Sequence, residues 1–287
     1  MRTSKGQLAM LARSLHKSAV DFPEYTADNH QSWNIVFSQA MRAWENDRFC
    51  ALWTQNVRLL GFHRGGVPST RKLNALLMQL TGWQMVDVPE YQPDELTFVN
   101  LFAHKKFPRL LNVRSLLEAS GGRAMAPDMC HDDIGHAAQI ADIRVSRMIQ
   151  LIGKKCATSI GTPEFTFWTR LFVNIFEFGL QEWSGTIQGF GGAIASSPEE
   201  LTNALTRYNR KKTLRVSFDA SKPHNLRRIM MTDIHFSELQ ETYFVVRNWK
   251  SLMRILQPDF DLRDTLKGLE KSHVFMPGER CKKDEYI

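Results

Sequence analysis

The 287-residue chain has only four cysteines, Cys50, Cys130, Cys156 and Cys281, and no two of them form a C-x-x-C pair. Such sparse, distant cysteines argue against a zinc knuckle and a disulfide framework, and they suit a reducing, cytoplasmic setting. Long apolar runs are missing too. No segment reaches the roughly 18 uncharged apolar residues of a membrane span. Even the aromatic-rich stretch 165–180 is interrupted by Arg170, Asn174 and Glu177. The basic start, MRTSKGQLAMLARSLHKSAVDF, never develops the apolar core of a signal peptide. A membrane is therefore not an expected partner. Repeats, low-complexity tracts and Pro/Gly/Ser linkers are also absent, which leaves a leading arm over 1–27 and one domain over 28–287.

What is present is ordinary for a globular protein: 43% hydrophobic and 23% charged residues. A chain of this size buries roughly three quarters of its unfolded surface and needs no covalent staples. The formal charge of +7 is concentrated in Arg207, Arg210, Lys211, Lys212, Arg215, Lys222, Arg227 and Arg228. Few aromatics accompany these cations and no nucleic-acid motif matches, so a solvated face is expected and nucleic acid is not.

Periodicity points to a mainly α protein with short β ribbons. Ser32 is a candidate cap for a helix striped by Trp33, Val36, Phe37, Ala40, Met41 and Trp44. Further helices are expected over about 48–60, 70–80, 96–107, 127–152, 163–180 and 249–256. Short strands are expected over 83–89 and 243–246, and the Gly-rich segment 185–192 breaks the pattern.

The chemistry concentrates in Pro127-Asp128-Met129-Cys130-His131-Asp132-Asp133-Ile134-Gly135-His136. Two histidines five apart on an α-helix are rotated by about 140°, so they meet at one ion only near a helix start or bend. The preceding proline and the intervening glycine would allow such an adjustment. Glu177 stands in the apolar run Phe172-Val173-Asn174-Ile175-Phe176-Glu177-Phe178-Gly179-Leu180, where a carboxylate is costly unless paired or metal-bound. It is either a core glutamate bridged to a cation such as Arg170, or the carboxylate of a two-histidine, one-carboxylate facial triad. That triad holds non-haem Fe(II) with positions left open.

At this point the chain resembles the pterin-dependent aromatic amino acid hydroxylases, the family of phenylalanine, tyrosine and tryptophan hydroxylases. Gln31-Ser32-Trp33 resembles the family's T-W, and Gly61-Phe62-His63 through Val67-Pro68 its G-F-x…(I/V)-P. Thr81-Gly82-Trp83 resembles its T-G-(F/W), and the stretch 98–108 its F-x-x-L-A-x-x-x-F-P. The histidine segment resembles E-P-D-x-x-H-E-x-x-G-H, Glu177-Phe178-Gly179-Leu180 resembles E-F-G-L, and the stretch 191–197 resembles G-A-G-L-L-S-S. The seven matches are collinear from about residue 28 to 256.

The resemblance implies a single hydroxylase-like catalytic domain that binds Fe(II) through His131, His136 and Glu177. It implies a tetrahydropterin against Phe98 and near Asp132, dioxygen as cosubstrate, and an aromatic amino acid as substrate, phenylalanine by default. Arg114 would hold the substrate carboxylate, oriented by Asp128. Val173 and Phe178 would face the substrate, and Ser196 would stand beside the first histidine. Without the resemblance, Phe98 reads as a core residue, Arg114 as a surface residue and Ser196 as a turn serine.

The chain also departs from the family. Ala126 replaces a glutamate, Asp132 shortens another, Phe172 replaces a tyrosine, and Val173 replaces a large aromatic. Two extra residues lie between Arg114 and Asp128, and no threonine stands there. Val173 opens the alternatives of tryptophan, tyrosine or another aromatic substrate. Rival classes are a zinc hydrolase using Asp132 or Asp133 as base, a 2-oxoglutarate oxygenase, and a non-catalytic binding protein. The first lacks H-E-x-x-H, and the second would need a β scaffold. The leading arm is short for a regulatory domain and the tail after Pro258 lacks coiled-coil heptads, so a monomer or weak dimer is expected.

Overall fold

The computed structural model describes residues 25–46, 48–88, 94–121, 127–206, 213–234, 238–269 and 272–287, so most of the expected arm, 1–24, lies outside the described residues. The first helix, α1 (Ala27–Ala43), starts earlier than Ser32. Thr26 Oγ accepts from Asn29 N at 3.2 Å and Thr26 N donates to Asn29 Oδ1 at 3.0 Å, a reciprocal cap. Ser32 is buried inside the helix beside Trp33, Val36, Phe37 and Ala40. The apolar stripe identified the helix, but its first turn is polar and carries no stripe.

Helices α2 (Ala51–Leu59) and α3 (Thr70–Leu80) lead into strand β1 (Gln84–Val88), then α4 (Glu95–Ala103) and strand β2 (Lys106–Leu110). The helix expected to reach 107 stops at Ala103 because Lys105 takes a left-handed φ of 57° and turns the chain. The remainder pairs in parallel with β1, from Gln84↔Lys106 to Val88↔Leu110.

A short helix, α5 (Leu116–Gly121), precedes the histidine segment. That segment runs as α6 (Met129–His131), a π-helical turn π1 (Asp132–Ala137) and α7 (Ala138–Ile140). Asp142 then accepts from the Arg144 and Val145 N–H groups and caps a new helix, α8 (Ile143–Thr158), so the single helix expected over 127–152 is two. Helix α9 (Pro163–Leu171) opens on its proline and passes into a second π-helical turn, π2 (Phe172–Glu177). The expected continuation to 180 is instead strand β3 (Leu180–Trp183), which places Glu177 where helix gives way to sheet.

Strand β3 forms a hairpin with β4 (Thr186–Gly189), followed by α10 (Gly192–Ser196) and α11 (Pro198–Leu205). Strand β5 (Leu214–Phe218), helix α12 (Pro223–Met231), strand β6 (Thr242–Val246), α13 (Trp249–Ile255) and α14 (Arg263–Leu266) complete the described elements. The sheet order is β4-β3-β6-β5, with only the hairpin pair antiparallel. Residues near the C-terminus cover the β5 edge: Tyr286 bridges Val216, and Ser217 N donates to Glu285 O at 2.8 Å. The architecture is mainly α with short β elements.

Two arginines depart from the simple inside-outside pattern. Arg228, expected on a solvated face, is buried; its Nε lies 3.0 Å from Asp284 Oδ2 and its guanidinium sits 3.9 Å from the Phe275 ring centroid. Residues 207–212 of the same basic stretch lie outside the described residues. Arg109, on β2, is 0% exposed. Its Nε and Nη2 each reach a carboxylate oxygen of Asp133 at 2.8 Å, and its Nη1 donates to Thr70 Oγ1 at 2.9 Å and Asp87 Oδ1 at 3.3 Å. The pair therefore ties π1 to α3 and to both strands of the small sheet.

Removing one partner of a buried pair strands the other charge, at a cost of about 3–5 kcal/mol, whereas replacing both by apolar groups is often neutral. Asp133→Leu should lower unfolding stability by that amount in urea titration. Arg109→Met/Asp133→Leu should recover most of it. Additive losses in the double variant would refute a coupled pair.

Candidate metal and substrate site

His131 and His136 stand on one ridge because the chain between them is π-helical. The wider turn greatly narrows the roughly 140° offset that an α-helix gives residues five apart. The proline and glycine of the motif do other work. Pro127 precedes Asp128, whose carboxylate accepts from His131 N at 3.0 Å and caps α6. Gly135 lets α10 approach: a Cβ there would sit 2.5 Å from Gly192 O, and one on Gly192 would sit 2.6 Å from the His136 ring. Glu177 ends the second π-turn, π2, and so faces the first across the core.

The three side chains converge. Glu177 Oε2 lies 3.0 Å from His136 Nε2 and 3.6 Å from His131 Nε2, the two Nε2 atoms are 3.0 Å apart, and all three ligand atoms fall within 4.8 Å. A first-row ion bound at about 2.1 Å separates neighbouring ligands by about 3.0 Å, so this triangle has the dimensions of one face of a coordination sphere. Arg170, the alternative partner for Glu177, instead donates to Thr232 O at 2.6 Å.

The supporting hydrogen bonds decide which nitrogens point inward. His131 Nδ1 is 3.1 Å from Ser196 Oγ, and that hydroxyl spends its hydrogen on Gly192 O at 3.2 Å, so Ser196 accepts from the ring. His136 Nδ1 is 2.9 Å from the amide oxygen of Gln139, an obligate acceptor. Both rings therefore carry hydrogen on Nδ1 and present Nε2 lone pairs to one another and to the carboxylate. Such a triangle is repulsive unless a cation or a proton lies within it. These donors fit a metal ion.

Burial and then the neighbouring His136 push the His131 imidazolium down to about 4, so that ring is neutral at pH 7. Burial pulls His136 the same way, but the Glu177 carboxylate outweighs it and raises His136. Glu177 is pushed up by burial, then held below its ordinary range by His136, His131 and the Ala193 N–H. His136 is 1% exposed at its side chain, against 12% for His131 and 13% for Glu177, so the centre opens on their side.

Aromatic rings wall the closed side. Phe107 stacks on His136 with centroids 4.4 Å apart, and half-buried Phe98 packs against Phe102, Phe107 and Phe172 at 4.7, 5.8 and 6.0 Å. Asp132 is buried, accepts from Leu110 N at 2.7 Å, and is pushed up to about 8 by burial, which that N–H only partly offsets. Val173 and Phe178 are half-buried at the two ends of a wide-turn bond, Phe178 N to Val173 O at 3.0 Å. Asp133, considered above as a hydrolytic base, is fully buried and engaged by Arg109.

Arg114 is buried, not on the surface. Its Nε and Nη2 each donate to Asp128 at 2.8 Å, and its backbone N donates to the same carboxylate at 2.9 Å. Asp128 thus links Arg114 to the backbone of His131. Sequence reasoning missed Gln139, Arg109 and the structural part of Asp133. Their only signal was polarity inside otherwise apolar helix and strand patterns.

The family model for biopterin-dependent aromatic amino acid hydroxylases matches residues 2–261. A phenylalanine-4-hydroxylase of Ralstonia nicotianae is 31% identical over 236 residues, 82% of this chain and 71% of the relative. One from Caulobacter vibrioides is 28% identical, covering 82% of this chain and 76% of the relative. Among solved structures, phenylalanine hydroxylase from Chromobacterium violaceum bound to cobalt superposes with a TM-score of 0.81 at 26% identity, over 92% of this chain and 90% of that one.

Two outcomes follow from the geometry. Glu177→Ala, or either histidine→Ala, should reduce metal content after loading from stoichiometric to trace by elemental analysis; retention at parent levels would remove these residues from the site. For Asp128, burial pushes the carboxyl up but the Arg114 fork more than offsets it, leaving it below the usual range. A depressed folded value contributes stability that is complete above about pH 4 and lost as pH falls through that value. Asp128→Asn should lower stability at neutral pH and flatten its acid-side decline in urea titrations; an unchanged slope would contradict this.

Proposed function

The chain belongs to the biopterin-dependent aromatic amino acid hydroxylase family, and from that premise we propose that it hydroxylates the ring of an aromatic amino acid, phenylalanine first, with Fe(II) held by His131, His136 and Glu177. The observation that carries this reading is the triangle of two Nε2 lone pairs and one carboxylate, 3.0, 3.0 and 3.6 Å on its edges, with supporting acceptors behind both rings. When bound, iron and a reduced tetrahydropterin together supply dioxygen activation, one oxygen atom going to the pterin and the other to the substrate ring.

The protein's own part is positioning and exclusion of water. Phe98, half-buried at the edge of an aromatic cluster, would offer a face for the pterin ring, and Asp132, next to His131 in the chain, would be its polar neighbour. Asp128 fixes the Arg114 fork through Nε and Nη2, which leaves the two Nη1 hydrogens for a substrate carboxylate. Val173 and Phe178, flanking Glu177, would face the substrate ring, and Ser196 holds His131 in the tautomer that binds metal. Phe107, Phe172 and Phe102 keep the closed side dry.

Val173 supports a second substrate reading. It stands where the family carries a large aromatic, and the smaller side chain leaves room for tryptophan, tyrosine or another aromatic. Among the described residues no helix is long and apolar enough to cross a membrane. A catalytic domain over 28–287, a cytoplasmic setting and a monomer or weak dimer complete the proposal.

The test is turnover by the iron-loaded protein with reduced tetrahydropterin, oxygen and each aromatic amino acid in turn. Tyrosine formed from phenylalanine is the expected product, and faster hydroxylation of tryptophan would establish the second reading. Iron bound with no amino acid hydroxylated would defeat the assignment. Sedimentation of the same preparation should give the mass of one or two chains, and a tetramer would contradict the assembly proposed.

A further inference from the structure

Gln139, in α7, is fully buried and spends every hydrogen-bonding group of its amide on the metal site. Its oxygen accepts from His136 Nδ1 at 2.9 Å, and its nitrogen donates to Phe176 O at 2.7 Å and Phe190 O at 3.3 Å. Phe176 immediately precedes Glu177 in π2. Phe190 follows β4, and its N–H, with that of Gly191, returns to Gly179 O at 3.1 and 2.9 Å. The chain then enters α10, where the Ala193 N–H supports Glu177 and Ser196 accepts from His131.

The orientation of this amide has no alternative. Flipped, it would place its NH2 against the N–H of His136 and its oxygen against two carbonyl oxygens, turning three attractive contacts into three repulsive ones. Phe176 lies at the end of π2, where the last helical carbonyls have no intrahelical partner, and its oxygen receives this side-chain donor instead.

We propose that Gln139 is the positioning residue that locks the two ligand-bearing turns together, fixing His136 as its Nδ1–H tautomer and setting the distance of Glu177 from it. The inference rests on the metal-site reading above and goes beyond it by assigning the preorganisation of the site to one neutral amide. No part of Gln139 touches the reacting groups; it acts through His136 and Glu177. A supporting partner of this kind is worth about 10–100-fold in metal affinity.

The experiment is titration of the metal-free protein with Co(II), read by affinity and by the visible absorption bands of the bound ion, alongside thermal unfolding of the metal-free forms. Gln139→Met fills similar space without donors, and Gln139→Glu retains an acceptor for His136 while losing the donors to Phe176 and Phe190. Both should weaken Co(II) binding about 10–100-fold and shift the absorption bands, Gln139→Glu because its lost donors release Glu177. A structural role alone would lower the melting temperature and leave the bands of bound Co(II) in place. Parent affinity and parent bands in either folded variant would overturn the proposal while leaving the metal site standing. Failure of the parent protein itself to bind Co(II) would instead overturn the metal-site reading, and this inference with it.

Discussion

The structure depends on holding three electron-pair donors closer together than they would sit unaided. Two imidazole nitrogens and a carboxylate oxygen, 3.0–3.6 Å apart, repel unless a cation or proton lies among them. Every nearby element acts against that repulsion. The two π-turns bring residues onto a shared face that α-helical geometry would separate, and a wide turn is stable only where the rest of the core holds it. The short helix α10 touches all three ligands: Gly192 lies under the His136 ring, Ala193 supports Glu177, and Ser196 accepts from His131.

Around that centre, polarity is buried in matched sets. Asp128 caps the turn carrying His131 and clamps Arg114. Asp133 faces the opposite way into the Arg109 fork, and Asp132 takes the Leu110 N–H between them. Three carboxylates thus stand within six residues, each with its own donors, which is how a segment this acidic remains in the core. The division of labour also separates the chemistry. Arg114 keeps Nη1 outside its ion pair, whereas the nitrogens of Arg109 are all committed to fold contacts. One arginine keeps a terminal nitrogen outside its ion pair and the other holds strands, though both are buried and bidentate.

The aromatic side of the site shows how packing and specificity share residues. Phe107 and Phe172 stack beside His136 and belong to the core, and Phe98 extends the same cluster to a half-buried edge. A ring docked there would continue an arrangement the core already makes. Next to Phe172 in π2, half-buried Val173 is a small aliphatic group among these rings, and the two proposed substrate readings differ over it.

Much of this was legible in order and type. The mainly helical class, the stripe of α1, the bounds of α3 and the strand at 84–88 followed from periodicity; motif spacing and the cost of a carboxylate in an apolar run marked the two histidines and Glu177 as candidates, and only the family resemblance joined them into one ligand set. Those signals are local, and local pattern reports which residues face inward. It does not report which inward-facing residues meet. The left-handed Lys105 that turned an expected helix end into β2, the strand β5, the burial of Arg228, the π-turns, and the pairings Arg109–Asp133 and Gln139–Phe190 join positions 24 to 51 apart in sequence or depend on neighbours that the chain meets only when folded. The sequence by itself determined the donor atoms available for a metal. Tertiary structure alone decided that they converge, because convergence against mutual repulsion requires partners drawn from distant segments.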